Sequence, residues 1–208
     1  MTTRLALLLS GGGRTLQNFL DLIAAGRLDA RLEVVVSSNP DAGGVERARN
    51  AGIATAVIDR RQFDSDEAFS AAITAVLDRY DVELVLLAGF LRRYIFPARY
   101  RGRVLNIHPA LLPKYGGRGM YGHRVHEAVL AAGDTESGCT VHVADHEYDH
   151  GPIVLQKRVP VLPGDTPDTL AERVFAAECE AYPEAVRLFA SGRLASMRDV
   201  NAGHPSET

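Results

Sequence analysis

Residues 5–15 read Leu-Ala-Leu-Leu-Leu-Ser-Gly-Gly-Gly-Arg-Thr, an apolar run that ends in glycines and leads into a segment with helical periodicity. Similar short apolar runs, rich in branched residues, recur at residues 32–36, 54–58, 84–87 and 103–107. Most of them are separated by segments whose apolar residues have helical spacing. Strands that alternate with helices predict a Rossmann-like α/β fold, with a parallel sheet flanked by helices on both faces.

The pattern changes after residue 137. Residues 139–143 and 153–161 are strand-like and only a polar loop separates them, which predicts an antiparallel hairpin that extends the sheet. Thr166 and Pro167 are typical of the start of a helix, here a long terminal one that ends near Ala190. Asp64 and Glu67 resemble a capping box before an earlier helix. We expect a single catalytic domain over residues 1–194 and a C-terminal tail at 195–208.

Composition limits the classes of partner. The chain has 208 residues, 46% of them hydrophobic, and a formal net charge of −3 with scattered basic residues, which argues against nucleic-acid binding. The N-terminal apolar run is too short for a signal peptide or a membrane span. Cys139 and Cys179 stand alone, as free thiols in a reducing compartment do. We therefore expect a cytoplasmic protein with no membrane partner, either a monomer or a homodimer.

The end of the fifth predicted strand and the residues that follow it carry the best candidates for catalysis. Residues 106–113 read Asn-Ile-His-Pro-Ala-Leu-Leu-Pro. Asn106 and His108 share one side of an extended chain, so an amide donor and a proton-carrying imidazole can converge on one reacting group. Asp149, at the mouth of the hairpin, could orient His108. On the residues alone, an Asx turn explains Asp149 better.

The glycine turn after the first strand is suited to an anion. Glycines at a strand-to-helix junction let main-chain amides approach a phosphate at the positive end of the helix. Leu16 stands where a dinucleotide fingerprint requires glycine, and the second strand ends in Ser37-Ser38-Asn39 without an acidic residue, which argues against a nicotinamide cofactor. A tight turn without a ligand and a monophosphate site remain equally open.

Two other kinds of site deserve comparison. Six histidines lie within one stretch of the chain, with Asp145 and Asp149 nearby, and could ligate a metal: His108, His123, His126, His142, His146 and His150. The zinc-peptidase motif His-Glu-x-x-His is absent, so we expect no metal. A triad of Ser10, His108 and Asp149 lacks the Gly-x-Ser-x-Gly elbow of serine hydrolases.

Taken together, these segments resemble the phosphoribosylglycinamide formyltransferase family, which formylates glycinamide ribonucleotide with 10-formyltetrahydrofolate in purine biosynthesis. The resemblance runs from about Leu5 to Leu194. The ordered segments that carry it are Ser-Gly-x-Gly at 10–13, Ser38-Asn39 with Glu46-Arg47-Ala48, Leu87-Ala88-Gly89-Phe90 with Arg92, Asn106-Ile107-His108-Pro109 with Leu-Leu-Pro-Lys at 111–114, and Asp149-x-Gly151-Pro152.

The resemblance implies a role for each group of residues. The catalytic residues would be Asn106, His108 and Asp149, with Asp149 raising the pKa of His108. The residues that bind glycinamide ribonucleotide would be Gly12, Gly13, Arg14 and Thr15 at its phosphate and Glu178 at its amine. The residues that hold the co-substrate 10-formyltetrahydrofolate would be Leu91, Arg92, Arg93, Ala144, Asp145 and Tyr148. The implied reaction is direct attack by the amine, with no metal and no covalent enzyme intermediate.

The chain also departs from the family pattern. Gly12 and Thr15 stand where the family often has asparagine, and His150 replaces a glycine. The loop at residues 116–122 is longer and richer in glycine than usual, which suggests a mobile lid.

Three other functions are also compatible with the sequence. Methionyl-tRNA formyltransferase and formyltetrahydrofolate deformylase share the Asn, His and Asp constellation, but both normally carry an additional domain. Weak basic character also argues against tRNA as a partner. A non-catalytic binding module that kept the pocket is the third alternative.

Overall fold

The structure, a computed structural model, describes residues 2–194, and the predicted tail at 195–208 lies outside the described residues. Within residues 2–194, seven strands form a mixed sheet in the order β3-β2-β1-β4-β5-β6-β7. The strands are β1 (Thr3–Leu9), β2 (Ala30–Ser37), β3 (Ala54–Val57), β4 (Leu84–Leu87), β5 (Val104–His108), β6 (Glu136–Val143) and β7 (Ile153–Pro160). The α-helices of the same residues are α1 (Arg14–Ala24), α2 (Gly43–Asn50), α3 (Asp66–Leu77), α4 (His123–Ala131) and α5 (Pro167–Ala190).

The parallel part of the sheet confirms the prediction from the apolar runs. Strand β1 pairs in parallel with β2 on one side and with β4 on the other, β2 pairs with β3, and β4 pairs with β5. The strand order therefore reverses between β1 and β4. In open α/β sheets, ligands bind beyond the carboxyl ends of the strands at such a reversal. The loops that follow β1 and β4 are thus placed for ligand binding.

The described residues divide into two compact units. The first contains the chain up to Ile107 together with Ala144–Tyr148. Its core includes one buried face of α3 packed with side chains from β1, β2 and β4 and with four aromatic residues of the segment after β4. The core residues from these elements are Ala6, Leu8, Val34, Val36, Phe69, Ile73, Leu77, Val85, Phe90, Tyr94, Phe96 and Tyr100.

The second unit contains His108–Val143 and the residues from Asp149 onward. Strands β6 and β7 form the predicted antiparallel hairpin, with Glu136 opposite Pro160. Helix α5 packs on both strands and on α4. It begins as predicted, because Thr166 caps it in a capping box with Thr169 and Pro167 occupies its first turn. No helix in residues 2–194, α5 included, has the length and apolar character needed to cross a membrane.

The predicted start of α3 is wrong by one residue. The capping residue is Ser65, whose hydroxyl accepts a hydrogen bond from the Ala68 amide at 3.0 Å, and not Asp64. Ser65 has extended backbone geometry, as a capping residue must, and the helix begins at Asp66. Asp66 and Glu67 then place negative charge in the first helical turn, where the helix dipole favours it.

Candidate functional site

His108 is the last residue of β5, and only 4% of it is exposed. Its Nε2 atom lies 2.7 Å from the main-chain oxygen of Tyr115, and its Nδ1 atom lies 3.4 Å from Oδ2 of Asp149. A carbonyl oxygen can only accept a hydrogen bond, so the short contact to Tyr115 requires a hydrogen on Nε2. The other ring nitrogen faces the carboxylate. The second unit therefore brings together two of the three predicted catalytic residues.

Asp149 is held in an unusual position. Its backbone φ is 55°, in the left-handed region that residues other than glycine rarely adopt. Its Oδ2 atom accepts a hydrogen bond from the Gly117 amide at 3.0 Å, and its Oδ1 atom lies 3.7 Å from Nε2 of His142. Strained backbone of this kind persists where surrounding contacts maintain it, and it is common at functional sites.

Burial and nearby charges leave Asp149 charged and His108 neutral. Burial lowers the pKa of His108 and outweighs the negative charge of Asp149 and the bond to Tyr115, which both act to raise it. Burial also acts to raise the pKa of Asp149, but His142, His108 and the Gly117 amide together hold it below its ordinary value. At neutral pH the ligand-free site thus contains a carboxylate and a neutral imidazole. The expectation that Asp149 raises the pKa of His108 describes its contribution correctly but not the net shift.

A buried network fixes the loop that follows β5. The hydroxyl of Thr140 on β6 donates to the Ala110 oxygen at 2.6 Å and accepts a hydrogen bond from the Leu112 amide at 3.0 Å. The side-chain amide of Gln156 on β7 donates to the same hydroxyl and to the Leu112 oxygen, both at 2.9 Å. Because buried polar groups that are fully paired rigidify their surroundings, this network supports the position of the segment that follows His108.

The other two residues predicted for the reacting end of the ribonucleotide are Asn106 and Glu178. Asn106 lies two residues before His108 on β5, so strand alternation places both side chains on one side of that strand. Glu178 lies on α5. Burial raises the pKa of the Cys139 thiol to about 12, and the charge of Glu178 adds to this shift. Because Cys139 lies on β6, Glu178 lies on the side of α5 that packs against that strand.

The glycine turn lies in the first unit. Gly13 precedes α1 with a φ of 75°, and a side-chain Cβ there would lie 2.7 Å from the Cα of Gly44. Only glycine therefore fits between the turn and the start of α2. Arg47 of α2 donates from Nε to the Gly12 oxygen at 2.8 Å and so adds a positive charge beside the turn. Arg47 belongs to one of the family motifs in the sequence, but a role at the turn was not predicted.

The segments predicted to hold the folate also lie together within the first unit. The guanidinium of Arg93 donates to the His146 oxygen from Nε at 3.1 Å and from Nη2 at 2.8 Å. The rings of Phe96 and His146 lie 5.0 Å apart. Leu91 and Tyr148 are each nearly half exposed, at 49% and 44%. The arrangement leaves apolar and aromatic surface available beside a loop that Arg93 holds in place.

Ser10 supports the loop after β4. Its hydroxyl lies 2.6 Å from the hydroxyl of Ser38 and accepts a hydrogen bond from the Leu91 amide at 2.9 Å. A cleft of about 230 Å³ lies beside these contacts, at the strand-order reversal within the first unit. The residues that line the cleft are Ser10, Ser38, Asn39, Asp59, Arg61, Leu91 and Arg92. Ser10 thus joins the ends of three parallel strands.

The histidines of the proposed metal cluster have different surroundings. His123 pairs with Asp168, His146 packs on Phe96, and His126 is buried in α4. Among residues 2–194, no group of three or more histidine, cysteine or acidic residues is arranged to hold a metal ion. His142 contacts Asp149 instead. This contact was not predicted, because in sequence His142 is only one polar residue within a strand.

Comparison with known proteins agrees on one family. The formyl transferase family matches residues 3–186. Phosphoribosylglycinamide formyltransferase of Escherichia coli (strain K12) is 41% identical over 91% of this chain and 88% of its own length. The trifunctional purine biosynthetic protein adenosine-3 of Drosophila pseudoobscura pseudoobscura is also 41% identical, over 98% of this chain, but the chain spans only 15% of that protein.

Solved structures give the same result. Glycinamide ribonucleotide transformylase 1 from Symbiobacterium toebii superimposes with a TM-score of 0.85 and 43% identity, over 92% of this chain and 89% of that one. Phosphoribosylglycinamide formyltransferase from Brucella melitensis gives a TM-score of 0.82 and 42% identity, over 91% and 96% of the two chains. At this identity the likeness extends beyond the fold to the family.

Proposed function

Because the chain belongs to the formyl transferase family, and is similar over most of its length to phosphoribosylglycinamide formyltransferases, we propose that it formylates the amine of glycinamide ribonucleotide with 10-formyltetrahydrofolate. The observation that carries the proposal is the buried pair of His108 and Asp149, with Asn106 two residues earlier on the same strand. These are the side chains that the reaction requires, namely two hydrogen-bond donors and a carboxylate.

The chemical step is an attack of the substrate amine on the formyl carbon. A carbon–nitrogen bond forms to the amine, and the carbonyl electrons move onto oxygen. Asn106 donates a hydrogen bond to this oxyanion, and so does His108 once its Nδ1 atom has taken up a proton, which stabilises the transition state more than the ground state. The intermediate collapses when the bond to N10 of the folate breaks, and the proton lost by the amine is delivered to N10.

Asp149 assists this proton transfer. Its low pKa keeps it ionised, and a carboxylate beside Nδ1 stabilises the imidazole of His108 when the ring takes up a proton. We assign Asp149 the transfer of the amine proton toward the folate, through water and the His108 ring. His142 supports this role because it helps to keep the carboxylate charged.

The substrates are assigned from the resemblance, and the geometry of each unit supports the assignment. The phosphate is placed at Gly12, Gly13, Arg14 and Thr15, where a helix begins and Arg47 adds positive charge. Glu178 is assigned to the substrate amine. The pterin is placed at Leu91, Arg92 and Arg93 and at Ala144, Asp145 and Tyr148, which lie together within the first unit.

The same proposal covers compartment and assembly. Within the described residues, Cys139 and Cys179 are not joined in a disulfide bond, which agrees with a reducing compartment such as the cytoplasm. We also propose that the protein acts as a monomer or a homodimer.

A direct assay tests the function. The protein is mixed with glycinamide ribonucleotide and 10-formyltetrahydrofolate, and release of tetrahydrofolate is followed by absorbance. We expect turnover that requires both substrates and that falls by about 10²–10³-fold in His108→Ala. The matched control, His123→Ala, removes an exposed histidine of the same unit and should keep full activity. Folate release without the ribonucleotide would indicate a deformylase, and folate binding without turnover would indicate a binding module.

A further inference from the structure

Tyr115 connects the buried imidazole of His108 to a polar cluster around Asp134. The main-chain oxygen of Tyr115 accepts the Nε2 hydrogen of His108, and its hydroxyl donates to Oδ2 of Asp134 at 2.8 Å. Lys114 donates to both carboxylate oxygens of Asp134 at 2.7 Å and lies 5.0 Å from the Tyr115 ring. Asp134 therefore holds Lys114 and Tyr115, and the main-chain carbonyl of Tyr115 contacts the imidazole of His108.

We propose that Asp134 is a positioning residue for the formyl transfer proposed above, on which this inference rests. By holding Lys114 and Tyr115, it keeps the Tyr115 carbonyl on Nε2 of His108 and leaves Nδ1 as the nitrogen that gains and loses a proton. Asp134 acts only through Tyr115 and does not touch the substrate.

The tautomer of His108 is the property that this contact controls. In a neutral imidazole, the hydrogen bond made by one nitrogen decides which nitrogen carries the hydrogen. The Tyr115 carbonyl fixes that hydrogen on Nε2, so Nδ1 is the nitrogen that takes up a proton beside Asp149. The ring accepts one proton there and passes it on, so no net charge accumulates over a turnover. With the other tautomer, Nδ1 would already carry its hydrogen and could not accept one.

The Tyr115 carbonyl needs support to stay in place. Tyr115 has a φ of 59°, which is unfavourable for a bulky residue, and two glycines follow it. Glycine imposes little restriction on its own backbone, and beyond Tyr115 the next main-chain anchor is the Gly117 amide, which donates to Asp149. Asp134 is well suited to hold the Tyr115 carbonyl, because Lys114 and Tyr115 keep the pKa of its carboxyl below the ordinary value.

The charged and titratable groups that act on His108 come from three elements. Asp149 lies beside Nδ1 of His108. The charge of His142, on β6, lowers the pKa of His108, and the charge of His108 lowers the pKa of His126, on α4. Asp134 bonds to Lys114 and Tyr115, so a change at Asp134 reaches His108 through Tyr115. Loss of the Tyr115 bond removes one of the two interactions that raise the pKa of His108.

The test measures the tautomer directly in the ligand-free protein. The ring nitrogens of His108 are observed by ¹⁵N NMR in wild type, in Asp134→Ala and in the control Glu136→Ala, which removes an exposed ion pair with Arg158 in the same unit. We expect the Nε2–H tautomer in wild type and in the control, and a mixture of tautomers in Asp134→Ala. In the assay, kcat of Asp134→Ala should fall about 10-fold, as for other residues that orient an active group, with both KM values within about twofold of wild type.

The outcomes separate this inference from the proposed function. An Asp134→Ala protein that keeps the Nε2–H tautomer and full kcat overturns the inference even if wild type transfers formyl groups. A wild-type protein without turnover rejects the proposed function, and a role for Asp134 in that reaction falls with it, whereas the NMR result still reports on the tautomer. If Asp134→Ala does not fold, Tyr115→Phe removes only the bond to Asp134 and must give the same shift in tautomer, or the inference fails.

Discussion

The Nε2 atom of His142 lies 3.7 Å from Oδ1 of Asp149, whose other carboxylate oxygen faces His108. The carboxylate is thus flanked by two imidazoles, and His142 is only 1% exposed. A buried carboxylate without partners would take up a proton near neutral pH. The interactions with His142, His108 and Gly117 reverse this tendency and keep Asp149 charged. His142 therefore sets the protonation state on which the proposed reaction depends.

We expect His142→Asn to move the acidic limb of the pH profile of kcat/KM to higher pH. The imidazole of His142 lowers the pKa of Asp149, so its removal raises that pKa and protonates the carboxylate at a higher pH. Because the reaction needs the carboxylate, activity is lost earlier as the pH falls. The profile is measured from pH 3 to pH 8, so that it includes the range in which Asp149 takes up its proton, with His123→Gln as the control. An unshifted acidic limb would show that His142 does not set the charge of Asp149.

Asp149→Asn should lower the pKa of His108. The negative charge of Asp149 is the largest of the interactions that raise this pKa against the effect of burial. Without it, the imidazole stays neutral to a lower pH than in wild type. The titration is followed by NMR of the His108 ring in the ligand-free protein, where the wild-type value should already lie below 6.5. A higher value in Asp149→Asn would mean that the carboxylate does not act on Nδ1 through its charge.

The sheet could be predicted from the sequence because its signals are local. Each parallel strand is a short run of buried apolar residues, and Thr166 with Pro167 marks the start of α5 through groups adjacent in the chain. The start of α3 shows the limit of such signals. Asp64 and Ser65 are both good capping residues, and only the backbone geometry of the folded chain selects Ser65.

The site could be predicted only where side chains carry the function. Asn106, His108 and Asp149 stand in motifs, whereas the Tyr115 carbonyl is a main-chain atom and has no sequence signal. His142 could not be separated from the other histidines, because its role depends on the register of β6 against the loop that carries Asp149. The net pKa of His108 also depends on burial, which the motif does not encode.

Gly13→Ala should destabilise the protein more than Gly26→Ala. Both glycines have a positive φ, 75° and 65°, so an alanine at either position adopts an unfavourable backbone at a cost of about 1–2 kcal/mol. Only at Gly13 would the new Cβ also meet a backbone atom, the Cα of Gly44, at 2.7 Å. We expect a loss of roughly 2–4 kcal/mol in the free energy of unfolding for Gly13→Ala.

The pair of glycine variants is compared by urea unfolding, and the KM for the ribonucleotide is measured on both. Gly13→Ala should also raise this KM, because the turn assigned to the phosphate must shift, whereas Gly26→Ala should leave it unchanged. Equal destabilisation of the two variants would show that the contact with Gly44 relaxes at no cost.

His126 should make the protein sensitive to acid. It is 4% exposed, its Nδ1 atom has no hydrogen-bond partner within the described residues, and burial together with the charges of His123 and His108 lowers its pKa to about 4. In the unfolded chain its pKa is near 6.5, so the unfolded state binds the proton first. The stabilising effect is therefore complete above pH 6.5 and is lost as the pH falls toward 4, by about 3 kcal/mol in all.

We expect His126→Leu to remove most of this acid sensitivity. Leucine has no proton to gain, so the fall in the free energy of unfolding between pH 7 and pH 4.5 should be about 2–3 kcal/mol smaller than in wild type. Urea unfolding at the two pH values measures the difference. His123→Gln is the matched control, because that side chain is 60% exposed and its loss should leave most of the sensitivity in place. If wild type and His126→Leu lose the same stability, then His126 is protonated in the native state without cost, and its burial does not govern its titration.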